Sequence, residues 1–491
     1  MELIDSLALG FSVASTWENI IWCLAGAIIG TLIGVIPGIG PITALSLLLP
    51  VSYSMDPISS IIFLAAVYYG SQYGGSTASI LLNMPGTPGN AVTCIDGHQM
   101  CKQGKSGVAL SVSAISSAIG GLFGILLIVL LSPYMIKIAF EFGPAEYFSL
   151  MFMGLVAMCC LSINKDAWRN IAMIMIGILL GTIGIDLNTG TPRFTFGFLG
   201  LADGVNMVLV AMGLFGLPEI IERIVRWNPT FKIMSPKRIY PNKKEFKEFL
   251  PATLRGSAVG GIFGPLPGTG PAVAGFMSYL FEKFIGNKNK KFGKGEIRGV
   301  AAPEAANNSG AQTEFVPTTI LGLPGDTAMP LIITALIMHG ITPGPTLITS
   351  HPSLYWGLLA SFVIGNIILL ILNLPLIKIW IKLLKIPYVY LYPAILICII
   401  MGAYSVNNNI FDIFLVALIG LFGYMLRLLN FETTPVLLGV IVGPLMEEYL
   451  RRSLQITGGD FSIFVNRPIS LFFIILSSLI LTLYIIKKTR T

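Results

Sequence analysis

Three acidic side chains lie in sequence that is otherwise apolar, and they are the first candidates for chemistry. They are Glu304, Glu314 and Asp326. Carboxyl groups in such surroundings either bind a cation or carry a proton. Asp326 is the strongest candidate, because it lies within the Pro-Gly sequence Gly322-Leu-Pro-Gly-Asp-Thr327. Glu304 follows Arg298 closely, so a position at a polar boundary explains it equally well.

Polar side chains cluster beside two Pro-Gly sequences. In the first half of the chain they are Ser71, Gln72, Tyr73, Ser76, Thr77, Ser79, Asn83, Thr87 and Asn90. In the second half they are Asn307, Asn308, Ser309, Gln312, Thr313, Thr318, Thr319, Asp326 and Thr327. Their oxygens suit a hard cation such as Na⁺, whereas hydroxyl groups and nearby backbone N–H groups suit an anion. Spacing alone does not decide which residue binds which ligand.

The Pro and Gly residues provide a way to bind an anion in these sequences, which contain no Lys or Arg. A helix broken inside an apolar region exposes the first N–H groups of the following half-helix, which carry partial positive charge. The alternative is that Gly and Pro only permit close helix packing. The candidate anion-binding residues are Gly38, Gly40, Ser76, Thr77, Asn83, Thr87, Asn90, Gly268, Thr269, Gly270, Asn307, Asn308 and Ser309. The candidate coupling-ion residues are Asn308, Glu314, Gly322, Gly325, Asp326 and Thr327.

The elements that position these residues must lie in a membrane. The 491 residues are 54% hydrophobic and 11% charged, against about 25% charged in a soluble domain. Residues 19–55, 57–95 and 327–377 contain no Asp, Glu, Lys or Arg, and about 20 apolar residues suffice for one spanning helix. The net charge of +7 comes from scattered loop residues rather than a basic face, which argues against nucleic acid. The acidic N-terminus predicts no cleaved signal peptide.

The chain repeats its Pro-Gly sequences in the same order. Gly34-Val-Ile-Pro-Gly-Ile-Gly-Pro41 resembles Gly264-Pro-Leu-Pro-Gly-Thr-Gly-Pro271, at an offset of 230 residues. Asn83-Met-Pro-Gly-Thr-Pro-Gly-Asn90 matches Gly322-Leu-Pro-Gly-Asp-Thr327 at an offset of 239. The first sequence of each half interrupts an apolar stretch too short for two spans, which favours a re-entrant hairpin with the Pro-Gly residues at its tip.

Flanking charge gives the two hairpins opposite orientations. The second is flanked by Lys243, Lys244, Lys247, Arg255, Lys283, Lys288, Lys290 and Lys291. The first is flanked by Glu2, Asp5, Glu18 and Asp56, and no Lys or Arg precedes Lys102. Because basic residues favour the cytoplasmic side, this pattern predicts an inverted-topology repeat.

We therefore expect an all-α polytopic membrane protein of two inverted repeats, each with a re-entrant hairpin and a Pro-Gly-interrupted transmembrane helix. About 11 spans accompany the two hairpins. The first-half spans lie near 58–98, 107–132, 147–163, 170–186 and 205–221, and the second-half spans near 300–338, 354–376, 388–404, 411–426 and 433–446. The predicted divisions are 1–221 (first repeat), 222–250 (basic cytoplasmic linker), 251–450 (second repeat) and 451–491 (extra span near 468–486). Arg451 and Arg452 disagree with this topology, because they would lie outside.

Other chemistries find little support. Gly104-Lys105-Ser106 resembles the end of a P-loop, but Gln99 stands where the first glycine is required. The six cysteines have no metal-ligand spacing. Asp96-Gly-His98 has no nucleophile beside it and is expected to be a loop at the cytoplasmic membrane edge. No catalytic constellation converges in the sequence, so we do not expect an enzyme.

The same sequences resemble those of the large membrane subunit of the tripartite tricarboxylate transporters, the TctA family. The resemblance is carried by residues 34–41, 69–77, 83–90, 96–98, 186–197, 303–310 and 322–325, and it extends over essentially the whole chain. It implies a multi-pass carrier of the bacterial inner membrane. Its expected partners are a small TctB-like membrane subunit and a periplasmic TctC-like binding protein that delivers a carboxylate.

The resemblance also implies uptake driven by an ion gradient, with no cofactor beyond Na⁺ as a candidate coupling ion. A passive channel or a structural membrane subunit, with Pro-Gly residues that serve packing, is the alternative. The identity of the carboxylate stays open.

Overall fold

The computed structural model describes residues 3–36, 40–139, 141–161, 167–186, 190–202, 204–225, 238–266, 270–285, 292–344, 346–376, 379–380 and 391–489. This part of the chain is helical apart from one antiparallel pair of two-residue strands. Five of its helices are long and apolar enough to cross a membrane, at 17–35, 106–134, 352–373, 410–428 and 468–486. The prediction of an all-α membrane protein is therefore confirmed.

The chain forms two compact units, and the first comprises residues 1–136 and 226–395. Its helices are α1 (Leu3–Ala14), α2 (Trp17–Val35), α3 (Pro41–Tyr53), α4 (Pro57–Leu82), α5 (Thr93–Lys102), α6 (Ser106–Ala139), α11 (Lys243–Phe263), α12 (Gly270–Ile285), α13 (Arg298–Thr313), α14 (Met329–Met338), α15 (Thr346–Ser350) and α16 (Pro352–Asn373). A π-helix at Pro317–Leu321 and a 3₁₀ turn at Pro88–Asn90 complete the unit.

The second unit comprises residues 137–225 and 396–491, and it takes in the last residues of α6 and most of α17. Its helices are α7 (Pro144–Leu161), α8 (Ala167–Gly181), α9 (Met207–Ala211), α10 (Leu217–Val225), α17 (Leu391–Asn407), α18 (Ile410–Leu428), α19 (Thr434–Ile456), α20 (Ile463–Asn466) and α21 (Pro468–Thr489). Strands β1 (Gly184–Ile185) and β2 (Pro192–Arg193) pair in it, and a π-helix at Met212–Gly216 joins α9 to α10.

Both predicted helix interruptions are present in the first unit. Helix α4 ends at Asn83, whose left-handed φ of 59° reverses the chain before Pro85. The second interruption begins at Gly322, with a φ of 68°, where glycine avoids the steric cost of a side chain. Pro324 follows two residues later, and its ring disfavours a continuous helix there. We call residues 83–90 the first break and 322–328 the second break.

Two sets of close helix contacts in the first unit are related by the same offsets as the Pro-Gly sequences. A side chain added at Gly26, Gly30 or Gly34 of α2 would meet the α4 backbone at Phe63, Val67 or Ser71. A side chain added at Gly256, Gly260 or Gly264 of α11 would meet the α13 backbone at Ala302, Ala306 or Gly310. The glycines are related by 230 residues and their partners by 239, the offsets found between the Pro-Gly sequences.

The predicted hairpins and the predicted division of the chain both stay predictions. The tips at 37–39 and 267–269 lie outside the described residues. Helix α2 is 19 residues long and apolar enough to cross a membrane, so its length alone does not distinguish a hairpin arm from a span. The division into 1–221, 222–250, 251–450 and 451–491 also stays a prediction, and each compact unit takes segments from both predicted repeats. Helix α1 was not predicted, and its Gly10 lies against the Trp356 backbone of α16.

Candidate functional site

The first break lies beside a buried carboxyl group of helix α13. Glu304 is fully buried, and four side chains donate hydrogen bonds to it. Ser76 Oγ donates at 2.5 Å, Ser117 Oγ at 3.2 Å and Asn90 Nδ2 at 3.3 Å. The hydroxyl of Thr93 donates as well. We call these five residues the Glu304 cluster. The burial of Glu304 among these donors is compatible with both interpretations of this residue, because Arg298 near the expected polar boundary is buried as well.

Amide side chains surround the first break next to this cluster. Asn90 Oδ1 lies 2.6 Å from the Thr87 hydroxyl, and its Nδ2 faces the Glu304 carboxylate, which fixes the amide orientation. Thr87 also lies 2.8 Å from Gln72 Oε1. Asn307 Nδ2 approaches the same Gln72 oxygen at 3.4 Å. The predicted residues Thr87, Asn90 and Asn307 are therefore brought together at one end of the break.

Side-chain oxygens on helix α13 lack hydrogen-bond donors. Asn308 Nδ2 donates to Ser117 Oγ at 2.7 Å and to the Glu304 carbonyl at 3.1 Å, so its Oδ1 points elsewhere. That oxygen, Asn307 Oδ1 and Gln312 Oε1 are buried without a partner. Unpartnered buried acceptors are costly, so each is a place where a ligand hydrogen or a cation would be stabilising.

The second break brings together two carboxyl groups and one phenol. The Tyr68 hydroxyl contacts Glu314 Oε1, and it lies 2.9 Å from Asp326 Oδ2. Glu314 is fully buried, and its Oε2 has no partner within the described part of the chain. Asp326 is half-buried. We call these three residues the Tyr68 cluster.

Asp326 also occupies the start of the half-helix that follows the second break. Its Oδ1 accepts the backbone N–H of Ala328 at 2.7 Å and that of Met329 at 3.1 Å. These N–H groups at α14 are therefore not free for a ligand in this structure. Helix α3, by contrast, begins after Gly40, which has no side chain to cap it. Its first N–H groups are thus unoccupied by a side-chain cap.

The remaining predicted residues are spread through the first unit. Ser309 is buried and donates to the Ser257 carbonyl of α11 at 2.8 Å, which is a packing role. Asn83 is exposed, Thr77 is buried, and Thr327 is half-buried. Gly270 begins α12 with a φ of 53°, and a side chain there would meet Asp326 Cβ at 2.7 Å. Gly322 and Gly325 are buried in the second break. Gly38, Gly268 and Thr269 lie outside the described residues.

Sequence reasoning gave no role to Tyr68, Thr93 or Ser117. A signal was available for the first: Tyr68, Gln72 and Ser76 are spaced by four residues, so they share one face of α4. Tyr68 contacts the second break, whereas Gln72 and Ser76 contact the first. Ser117 and Thr93 lie on α6 and α5, and only the packing of those helices on α13 gives them a role.

The prediction that Asp96-Gly-His98 forms a loop is wrong. Asp96 is buried within helix α5, and its Oδ1 accepts the backbone N–H groups of Gly293, Gly295 and Glu296 at 2.8–2.9 Å. Its Oδ2 accepts the Tyr279 hydroxyl at 2.9 Å. Asp96 therefore holds the loop that leads into α13, the helix that carries Glu304 and Glu314.

In the second unit, Arg451 and Arg452, which disagree with the predicted topology, form ion pairs. Arg451 pairs with Asp186 at 3.1 Å and with Glu447 at 2.5 Å, and Arg193 of β2 pairs with Glu447 at 3.0 Å. Arg452 pairs with Glu448 at 2.6 Å. The orientation bias counts Lys and Arg rather than net charge, so these ion pairs leave the predicted topology a prediction.

Comparison with known proteins identifies the family. The family model described as "Tripartite tricarboxylate transporter TctA family" matches residues 20–438. An uncharacterized 52.8 kDa protein in the TAR-I ttuC' 3' region of Agrobacterium vitis is 44% identical over 473 residues, which is 96% of this chain and 94% of that protein. A second uncharacterized protein of that organism, in the TAR-II ttuC' 3' region, is 50% identical over 211 residues, 43% of this chain and 87% of that protein.

No solved structure matches the chain. Within the described residues, no group of three or more His, Cys, Asp or Glu side chains is placed to hold a metal ion. The family match spans both breaks, the Glu304 cluster and the Tyr68 cluster. This multi-pass membrane protein therefore belongs to the tripartite tricarboxylate transporter TctA family.

Proposed function

We propose that this chain is the large membrane subunit of a binding-protein-dependent secondary transporter. It imports tricarboxylates or related organic carboxylates by alternating access, driven by a Na⁺ or H⁺ gradient. The observation that carries the proposal is the family match together with two helix breaks lined by buried polar groups in one compact unit. Broken helices with buried polar groups are the usual substrate sites of secondary transporters.

We propose that the anion site is formed by the first break together with the N-termini of α3 and α12. Helix α12 packs against the turn at Pro88–Asn90, and helix α3 packs against α14. The N-termini of α3 and α12 supply backbone N–H groups, and Thr87, Asn90 and Asn307 supply side-chain groups. This site uses no Lys or Arg, in keeping with the uncharged stretches that form it.

An inverted-topology repeat is part of this proposal. It is supported by the matched offsets of 230 and 239 residues, which relate both the Pro-Gly sequences and the close helix contacts. Inversion gives a transporter two related halves that exchange roles between inward-open and outward-open states. The opposite charges that flank the two hairpins support it further.

The partners and the membrane are proposed from the family. They are a small TctB-like membrane subunit, a periplasmic TctC-like binding protein and the bacterial inner membrane. An alternative function, a passive channel or structural subunit, is favoured by the tight packing of glycines such as Gly30 and Gly260. It does not account for the unpartnered oxygens of Asn307, Asn308 and Gln312.

Transport by the complete system distinguishes the two functions. The chain, the small subunit and the binding protein are reconstituted in liposomes and supplied with labelled citrate and labelled succinate. We expect one of the probes to accumulate only when a Na⁺ or H⁺ gradient is imposed. Accumulation that needs ATP and no gradient would contradict the proposal, and equilibration without accumulation would favour a passive channel.

The variant Gly40→Ala tests the N-terminus of α3 as part of the substrate site. It is suitable because a side chain at Gly40 has nothing within 4 Å. The added methyl group therefore leaves the packing intact and narrows only the approach to the α3 N-terminus. We expect normal assembly and weaker uptake, and unchanged uptake would argue against a substrate site at this helix end.

A further inference from the structure

The contacts of the Tyr68 hydroxyl require one more hydrogen than the phenol supplies. The hydroxyl contacts Glu314 Oε1 and Asp326 Oδ2. A phenol has one hydrogen to donate. If both carboxyl groups were ionised, both would only accept, and one of these contacts would join two oxygens with no hydrogen between them. The second contact is favourable only when one carboxyl group carries a proton and donates it to the phenol oxygen.

The other contacts identify which carboxyl group holds that proton. Asp326 accepts two backbone N–H groups at the positive end of helix α14, and these favour its ionised form. Glu314 is fully buried, and among the described residues its Oε2 has no donor. A buried carboxylate with an unsatisfied oxygen beside a second carboxylate is strongly disfavoured. The proton therefore lies on Glu314, which donates to Tyr68, and Tyr68 donates to Asp326.

Glu304 provides an internal comparison on the same helix. Four side-chain donors surround its carboxylate, from Ser76, Asn90, Thr93 and Ser117. Glu314 receives at most one donor, which it shares with Asp326. Hydrogen bonds of this kind stabilise an ionised carboxylate. The environment of Glu304 thus favours the carboxylate, and that of Glu314 favours the acid.

The Tyr68 cluster is poorly suited to a metal cation. A hard cation needs a shell of several oxygen ligands, but Asp326 Oδ1 is already occupied by two backbone N–H groups. Side chains added at Gly270 or Gly325 would meet Asp326 or Glu314 within 2.7 Å, so the backbone closes tightly around the cluster. Among the described residues, these contacts crowd the Asp326 and Glu314 side chains. In the described part of the chain, Tyr68 and Asp326 are the titratable groups that face Glu314.

We infer that Glu314 carries the proton that is coupled to carboxylate transport, and that Tyr68 and Asp326 position it. The inference rests on the proposed function and specifies its coupling ion. In one access state water protonates the Glu314 carboxylate, and in the other state the acid returns the proton to water. Asp326 is half-buried while Glu314 is fully buried, so Asp326 is the more exposed of the two carboxyl groups.

Infrared difference spectroscopy tests the protonation of Glu314 independently of transport. The spectrum of each purified variant is subtracted from that of the unmodified chain. At neutral pH we expect a C=O stretching band of a protonated carboxylic acid that shifts in D₂O. The band is lost in Glu314→Gln and kept in the matched variant Asp326→Asn. In Tyr68→Phe, which keeps the ring, the band moves because its hydrogen-bond acceptor is gone. A band that persists in Glu314→Gln, or that is lost in Asp326→Asn instead, would overturn the inference.

Transport in liposomes that contain all three subunits tests the coupling. We expect a pH gradient, with Na⁺ absent on both sides, to drive accumulation of labelled citrate or succinate. Glu314→Gln should lose this accumulation but still exchange labelled for unlabelled substrate, and Glu314→Asp should restore part of it. Accumulation driven by Na⁺ alone, or retained in Glu314→Gln under a pH gradient, would refute proton coupling. If the unmodified protein moves neither probe under either gradient, the proposed function fails, and the infrared result still decides the state of Glu314.

Discussion

At the scale of single residues, neighbours rather than residue type decide what a buried carboxyl group does. Glu304 and Glu314 lie ten residues apart, both fully buried. Hydroxyl and amide donors from four other elements surround Glu304, whereas Glu314 meets one phenol and a second carboxyl group. The first arrangement stabilises an ionised carboxylate more than the second does. The second provides a group that can gain and lose a proton.

Replacement of Glu304 tests the role of this carboxyl group. In Glu304→Gln the amide nitrogen faces groups that previously donated to a carboxylate, so donors are left unpaired. We expect the free energy of unfolding to fall by about 1–3 kcal/mol. Thermal unfolding of the purified chain in detergent measures this. The same substitution at the exposed residue Glu248 of α11 is the control, and equal melting temperatures for the two variants would contradict the interpretation.

At the scale of elements, glycines determine how closely helices approach. Helix α2 lies against α4, and α11 against α13, at positions where a side chain would meet the backbone of the facing helix. Small residues at such positions are the usual means of close packing in membranes, where helix association gains little from the hydrophobic effect. This packing holds α4 and α13, the two helices that carry most of the candidate site.

Matched alanine substitutions test whether the two helix pairs are equivalent. Gly30→Ala and Gly260→Ala each push a methyl group against the facing backbone, at Val67 and Ala306. We expect each to reduce the free energy of unfolding by about 1–3 kcal/mol, the usual cost of overpacking. Gly40→Ala should leave the melting temperature unchanged, because nothing lies within 4 Å of the added group. A large loss in only one of the first two variants would argue against equivalent packing.

At the scale of the whole molecule, each compact unit combines segments from both halves of the sequence. Residues 1–136 join residues 226–395, and residues 137–225 join residues 396–491. Both breaks and both clusters lie in the first unit. The paired charges of Asp186, Arg193, Glu447 and Arg451 lie in the second. Each predicted repeat therefore contributes segments to both compact units.

Thiol labelling tests the predicted inverted topology. Single cysteines are introduced by Thr195→Cys and Tyr240→Cys in a chain whose six native cysteines are replaced by alanine. The predicted topology puts residue 195 outside and residue 240 in the cytoplasm. We expect a membrane-impermeant maleimide to label only the first in intact cells and the second after permeabilisation. Labelling of both from the outside would refute the inversion.

The sequence by itself determined the membrane environment, the two helix breaks and the family. These follow from local properties: uncharged length, the conformational limits of Pro and Gly, and the order of long motifs. Only the tertiary structure decided that four donors surround the buried Glu304 carboxyl group, that Asp96 holds the loop before α13, and that Tyr68 joins Glu314 to Asp326. The physical reason is distance along the chain, since Tyr68 and Asp326 are separated by 258 residues and no local pattern specifies which side chains packing brings together.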